Sequence, residues 1–330
     1  MAYLKAAMAL LFAAGLVIYP ETSASAARRA IQIWAESVAP ALFPLAAVMP
    51  FHTCNEARRV YDMLLGPVAR RIFRLPGGTA SAIVTGMLSG SPGGALAAAR
   101  VAAAEGLTRG QAARLAGIAC GVSPVYVLSV LGVALNGSVN LGWKLVAAQV
   151  IAQIGVGIIF RNAFEADTAR ISGADNIETE KPGVTALKAV MKACGYMVLF
   201  SVGLQLAEKA AGDIVWKAAV FVDLPTGAIS CNNHIVLAAA LGSGGLCIAF
   251  QNMSVLEDMV KPWVYMLQKA TGAILCAGAF AAIDLCDAEG SEGVFSGKAM
   301  DFEKNMLIIS LIMAPILLFF LRKRSKKHFS

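Results

Sequence analysis

Leu88-Ser89-Gly90-Ser91-Pro92-Gly93-Gly94-Ala95 sits in the middle of an apolar run, Thr79–Ala99, and its reading decides the fold. The run is apolar enough for a membrane interior, where the backbone must bond to itself and helix is the default. Glycine and proline both oppose a helix, so an uninterrupted one is not expected here. Two arrangements remain: a broken helix that crosses, or a segment that dips in and returns. Basic residues stand on both flanks, Arg74 before and Arg100 and Arg109 after. Positive charge marks the cytoplasmic side, so both flanks read as cytoplasmic and re-entry is expected.

Outward from that stretch the chain reads as membrane throughout. It is 58% hydrophobic and 15% charged over 330 residues, with mean hydropathy +0.67. A soluble chain carries about a quarter charged residues. The β-barrel alternation over ~10 residues is absent. Spans of about 20 apolar residues are expected at Tyr3–Tyr19, Ala27–Phe51, Gln111–Leu135, Trp143–Phe160, Val184–Ala207, a short Ile235–Phe250, Trp263–Ile283 and Asn305–Leu321. The first of these also reads as a signal peptide, with Lys5 ahead of a short core and small residues at Thr22–Ala27; a retained helix fits the later orientation better. Pro40, Pro44 and Pro50 should kink or break the second. His52–Arg74, rich in arginine, reads as cytoplasmic and partly lying on the membrane surface.

The second half contains its own interruptions. Asp223-Leu224-Pro225-Thr226-Gly227 and Ser230–His234 follow an amphipathic stretch, Glu208–Val222. Gly242-Ser243-Gly244-Gly245 interrupts the next span. The order span, amphipathic or basic stretch, Gly/Pro-broken segment and two spans therefore occurs twice. Under the charge rule the opening spans cross in opposite directions. The expectation is an all-α polytopic membrane protein of about eight transmembrane helices plus two re-entrant broken segments, built as an inverted repeat. The expected divisions are an N-terminal helix at 1–26, a first repeat at 27–165 and a second at 184–284. The segment 285–330 then holds an acidic external loop, the last span and a basic tail, Arg322-Lys323-Arg324 with Lys326 and Lys327. Both termini read as cytoplasmic in the cell membrane.

Broken helices at matching places point to a site near the midplane, because half-helix ends leave N–H and C=O groups free; close helix packing by glycine is the plainer alternative. The candidate substrate-binding residues are Ser89, Gly90, Ser91, Pro92, Gly93 and Ser123, with Pro124 beside it. Their second-half parallels are Thr226, Gly227, Asn232, Asn233, Gly244, Gly245, Gln251 and Asn252. Buried in protein, such neutral polar groups need a ligand or a neighbouring helix as partner. Asp223 beside the second broken segment serves either a cation or a helix start. Glu36 pairs with an arginine toward the interface or holds a coupling ion or proton. Lys144, Lys188 and Lys192 are expected to snorkel, and Gln149 and Gln153, at i and i+4, to bond between helices.

The same residues carry a resemblance. Tyr19-Pro20, Trp34, the Pro40–Pro44 run and Leu88–Ala95 resemble the sporulation integral membrane protein YlbJ family, which carries the Gate or nucleoside-recognition domain. Ser89-Gly90-Ser91-Pro92 looks like its S-G-Y/S-P-x-G-A signature and Ser123-Pro124 its S-x-P position. Leu224-Pro225-Thr226-Gly227 and Gly244-Gly245-Leu246 followed by Gln251 are similar to its E-x-T-x-G and G-G-L-S-V…Q motifs. The likeness runs over roughly Tyr3–Leu321. Here Leu224-Pro225 replaces the acidic residue before Thr-Gly, with Asp223 adjacent, and Cys247 replaces a serine. The resemblance implies a role in endospore cortex formation and a domain similar to parts of nucleoside and ferrous-iron transporters.

The function expected is a permease-like transporter of a small molecule or ion; the alternative is a non-transporting scaffold for spore-envelope assembly. No nucleophile–base pair and no metal-ligand spacing is visible among seven scattered cysteines and three histidines. An enzyme, a metal and a cofactor are therefore not expected. The net charge of +7 falls in loops and the tail without interleaved aromatics, so it reads as cytoplasmic loop charge, not a nucleic-acid surface. The expected partner is the bilayer, with homo-oligomer formation left open.

Overall fold

A computed structural model of the chain describes residues 2–171, 182–257 and 259–289. The expected last span Asn305–Leu321, the basic tail, the acidic loop beyond residue 289 and most of the connection between the halves lie outside the described residues. Contacts group Met1–Ile283 into one unit; of the second, which starts at Asp284, only the end of a helix is described.

The described residues are helical, with one isolated bridge between Thr108 and Arg170. Six helical runs among them are long and apolar enough to cross a membrane: Pro20–His52, Arg109–Ala134, Val139–Ile159, Gly183–Lys217, His234–Leu256 and Pro262–Asp287. The chain is a multi-pass α-helical membrane protein. Its first helix, α1 (Ala2–Ile18), exposes Leu10, Leu11, Val17 and Ile18 along its length. Its apolar part, Ala6–Ile18, is shorter than the six.

The second run, expected to kink or break at its prolines, does not break. The run joins α2 (Pro20–Ile33) and α3 (Ala39–His52) through a π turn at Trp34–Val38. Ala39 N–H reaches back five residues to Trp34 C=O, so the ladder is widened just where Pro40 has no N–H to donate. The run also begins at Pro20, earlier than Ala27, because proline suits a first helical turn. An amphipathic helix follows, α4 (Asn55–Ile72), as expected of the arginine-rich stretch.

The decisive stretch is interrupted as read. Helix α5 (Ala80–Ser89) ends at Gly90, and α6 (Gly93–Ala104) begins after Pro92. Gly86 and Gly94 are eight positions apart, which is about 12 Å along a continuous helix. Yet a Cβ added to Gly94 would sit 3.1 Å from the Gly86 Cα. The chain has turned back on itself. The feet of this hairpin also stand together, with Gly78 against the Glu105 carboxylate. Gly86 and Gly94 both press on the Ala119 backbone, where any side chain would overlap its carbonyl.

The span expected at Gln111–Leu135 is present as the run Arg109–Ala134, with an internal break that was not expected. Helix α7 (Arg109–Ala119) stops, the chain runs extended through Cys120–Ser123, and helix resumes as α8 (Pro124–Tyr126) with a π turn at Val127–Ala134. Gly121 and Pro124 explain the gap, since proline drives the preceding residue out of the α region; Ser123 has ψ 128°. Helix α9 (Val139–Ile159) completes the half.

The second half repeats that order of elements. A long helix, α10 (Pro182–Ala211), leads to a 3₁₀ stretch at Gly212–Lys217. Two short pieces follow, α11 (Ala219–Val222) and α12 (Leu224–Ala228), turning at Asp223 so that Gly227 lies on the Val220 backbone. Then comes a broken helix, α13 (His234–Ser243) and α14 (Gly245–Leu256), with Gly244 left-handed at φ 77° and Gly245 at φ 74°. It extends past the expected Phe250. Helix α15 (Pro262–Glu289) closes the set. The halves interlock: α10 packs along α2 and α3, α13 on α9, and α14 on α6. Trp34 Nε1 donates to Val190 C=O at 3.0 Å across that seam.

Candidate binding site

Four irregular segments meet: the α5–α6 tip, the gap after α7, the turn at Asp223 and the start of α14. The gap offers three successive carbonyls, and each is taken by a different element. Cys120 C=O accepts from Lys269 Nζ on α15. Gly121 C=O accepts from Ser91 N at 2.8 Å and from Ser91 Oγ at 2.9 Å. Val122 C=O accepts from Gln149 Nε2 on α9 at 2.8 Å. Lys269 is buried at the C-terminal end of α7, where the helix dipole favours a cation, and its ammonium lies 5.3 Å over the Tyr265 ring.

Ser91 ties the halves together. Its Oγ accepts from Asn252 Nδ2 at 2.8 Å, and the same amide donates to Tyr265 OH at 2.7 Å. The Ser91–Pro92 peptide is cis. Gly90, at φ 64°, packs on the Val122–Ser123 backbone, where a side chain would overlap it. Ser89 Oγ donates to Thr85 C=O at 2.7 Å within its own helix, and Gly93 packs against Ser89. These last residues shape the tip and line neither of the two cavities that flank the gap.

Beside this junction is a cavity of about 40 Å³. Ser91, Ser123 and Tyr126 from the first half and Asp223, Cys247 and Gln251 from the second line it, with Val38, Leu42 and Met197 as apolar wall. Asp223 is fully buried. One carboxylate oxygen, Oδ2, accepts from Thr226 Oγ1 at 2.5 Å and from Thr226 N at 3.4 Å, the start of α12. The Cys247 thiol lies beside the carboxylate. The other oxygen, Oδ1, has no hydrogen-bond partner. Ser123 Oγ, Tyr126 OH and Gln251 Nε2 are also buried without a partner. Each such group costs about 1–3 kcal/mol when nothing satisfies it, and a charge costs more.

A second, smaller cavity of about 10 Å³ lies on the far side of the gap, bounded by Gln149, Gln153, Gln268 and Lys269 over Gly117, Gly121 and Gly272. It has room for about one water. Gln149, bonded to Val122 C=O, has the interhelical role read for it; Gln153 does not, being unpartnered at both amide atoms, and Gln268 donates to Ala113 C=O at 3.0 Å.

The structure thus brings Ser91, Ser123, Gln251 and Asn252 together, with Thr226 joined through Asp223. Pro92 and Gly227 lie in the turns behind them. Gly244 and Gly245 form the break before α14, and a Cβ on Gly245 would sit 3.4 Å from Phe221 C=O. Asn232 is exposed in the loop before α13, away from the cavity, and Asn233 starts that helix, its Oδ1 accepting from Ile235 N at 2.9 Å. Neutral side chains in that loop find water, so polarity there did not mark a buried site. Glu36 is paired with Gln32 at 2.9 Å, one turn away, not with an arginine. Lys144 is buried instead of snorkelling. Tyr126 and Lys269 escaped the reading, and Cys247 entered it only as a departure from the motif. The signal for Tyr126 was Gly121-x-Ser123-Pro124, a helix break two residues before a polar-tipped aromatic.

No family model and no solved structure matches the chain. Among curated proteins it is similar to the sporulation integral membrane protein YlbJ of Bacillus subtilis (strain 168), 29% identical over 159 residues, which is 48% of this chain and 39% of that protein. The matched region thus spans about two-fifths of the relative's length.

Proposed function

We propose that the chain is a Gate-domain permease-like protein that holds a small solute in the cavity between its two halves. The observation that carries this is the convergence of four buried, unpartnered polar atoms, Ser123 Oγ, Tyr126 OH, Asp223 Oδ1 and Gln251 Nε2, on one cavity lined by both halves. A purely structural junction pairs its buried polar groups. Buried polar groups left unpaired on residues around a shared space fit a ligand.

The reading extends to topology. The repeated order of elements supports an inverted repeat, in which α5–α6 and α11–α12 are re-entrant hairpins entering from opposite sides. At 10 and 12 residues, α5 and α6 are each too short for a ~30 Å hydrocarbon layer, which a returning hairpin need not cross. The feet of that hairpin adjoin Arg58, which pairs with Glu105 at 3.7 Å, so the basic face is assigned to the cytoplasm, with both termini on that side of the cell membrane. The likeness to YlbJ supports a role in sporulation, and we propose the spore cortex as its place.

Uptake into proteoliposomes holding the purified chain tests the transport reading. Saturable uptake of at least one solute from a broad panel, lost in Gln251→Ala, is expected; no uptake across the panel contradicts it. A static scaffold for spore-envelope assembly is the second reading, favoured by the bonded lock of Ser91, Gly121 and Asn252. It expects Ser91→Ala and Gln251→Ala strains to sporulate normally while loop or tail changes disrupt sporulation.

A further inference from the structure

We infer that the cavity binds a small monovalent cation, held between Asp223 Oδ1, Tyr126 OH and Ser123 Oγ. The inference rests on the reading of the cavity as a ligand site and names the charge and size of what enters it.

The argument begins with charge. Asp223 is the one acidic or basic residue lining the cavity, and no described cation lies within ion-pair distance of it. Lys269, the nearby buried ammonium, is turned to the Cys120 carbonyl on the other side of the gap and lines the second cavity instead. A carboxylate in a membrane interior needs a counter-charge or a proton, because isolated burial of the ion costs far more than its hydrogen bonds return. Thr226 satisfies Oδ2 only. Oδ1 is left without a hydrogen-bond partner on a residue that lines the cavity, with the Cys247 thiol beside the carboxylate.

The ligand set comes next. Tyr126 OH and Ser123 Oγ are the two hydroxyls without partners at the same cavity, and a hydroxyl presents lone pairs to a cation as readily as a hydrogen to an acceptor. They come from one broken segment, α7 to α8, and the carboxylate comes from the opposing turn, so an ion between them bridges the halves. Gln251 Nε2 is a donor and does not ligate the ion; it suits the oxygen of a water held with it.

Charge balance and volume fix the class. One carboxylate neutralises one positive charge, whereas a divalent ion would leave a net charge in the interior. About 40 Å³ holds an ion with one or two waters but no large organic cation. Alkali ions and ammonium share this chemistry.

The test is thermal unfolding of the full chain purified in detergent. Titrations with lithium, sodium, potassium and ammonium chlorides run at constant ionic strength and pH against N-methylglucamine chloride, whose cation is too large to enter. A saturable rise in Tm with one or more small cations, absent in Asp223→Asn, is expected. Tyr126→Phe, which keeps the ring, should weaken the apparent affinity by about tenfold, and Ser123→Ala by a smaller factor. These two variants decide the matter if Asp223→Asn does not fold. No cation-specific rise in the parent chain overturns the inference. So does a rise that survives in Asp223→Asn, or a response to pH alone, which makes a proton the counter-charge. Cation binding without solute uptake sustains this inference while removing the permease; solute uptake without any cation effect removes this inference alone.

Discussion

The two halves contribute the same kind of irregular backbone to one junction, yet treat their polar groups differently. At the first tip both donors of Ser91 are used: its N–H and hydroxyl donate to Gly121 C=O, and the hydroxyl oxygen accepts from Asn252. At the second turn Asp223 bonds its own Thr226 and leaves Oδ1 open. The α5–α6 tip is thus fastened and the Asp223 turn is open. The difference teaches that a broken helix is not itself a binding feature. Its free carbonyls can all be consumed in holding it open, as Lys269, Ser91 and Gln149 do here. What marks a site is the polar capacity left over.

Substitutions that separate fastening from binding test this contrast. Gly90→Ala should have the largest effect, about 3 kcal/mol or more lost, because φ 64° is left-handed and the added methyl meets the Val122–Ser123 backbone; failure to accumulate folded protein on size-exclusion chromatography is the readout. Lys269→Met should cost about 2 kcal/mol, read as a lower Tm, since it leaves the Cys120 carbonyl and the end of α7 without their cation. Ser91→Ala should cost about 1–2 kcal/mol, with faster amide exchange at the α5–α6 tip, as a bond to Gly121 and a partner of Asn252 vanish. Gly244→Ala should cost about 1 kcal/mol only: φ 77° is equally left-handed, but the nearest atom to the new methyl is a flexible Ile248 methyl at 3.5 Å. Asp223→Asn, measured without added small cations, should leave Tm unchanged within about 0.5 kcal/mol or raised, since it removes an uncompensated buried charge. A drop as large as that of Ser91→Ala would erase the contrast and make Asp223 a fastener too.

Much of the fold was legible because membrane interiors impose a strict grammar. Apolar runs gave helices, and Gly90-Ser91-Pro92 and Gly244-Gly245 gave their interruptions, since few other residues permit those angles. The gap at Cys120–Ser123 was missed because its residues are apolar or small, and hydropathy averages over a short extended stretch; only Gly121 and Pro124 betrayed it. The π turn within Pro20–His52 was not legible for the opposite reason, since it absorbs a missing donor without changing composition. In the site, residues with unusual backbone needs were readable: Ser91, Ser123, Gln251 and Asn252 meet. Tyr126, Cys247 and Lys269 were not, because each sits in an apolar helix and acquires its meaning only from what the other half places against it.

The most direct measurement is an experimental density map of the cavity at a resolution that shows ordered water, from protein prepared in sodium or ammonium salt. The account predicts a compact density in ligating contact with Asp223 Oδ1, Tyr126 OH and Ser123 Oγ. A map in which Asp223 Oδ1 bonds directly to Tyr126 or Gln251, with no density between the halves, would contradict it.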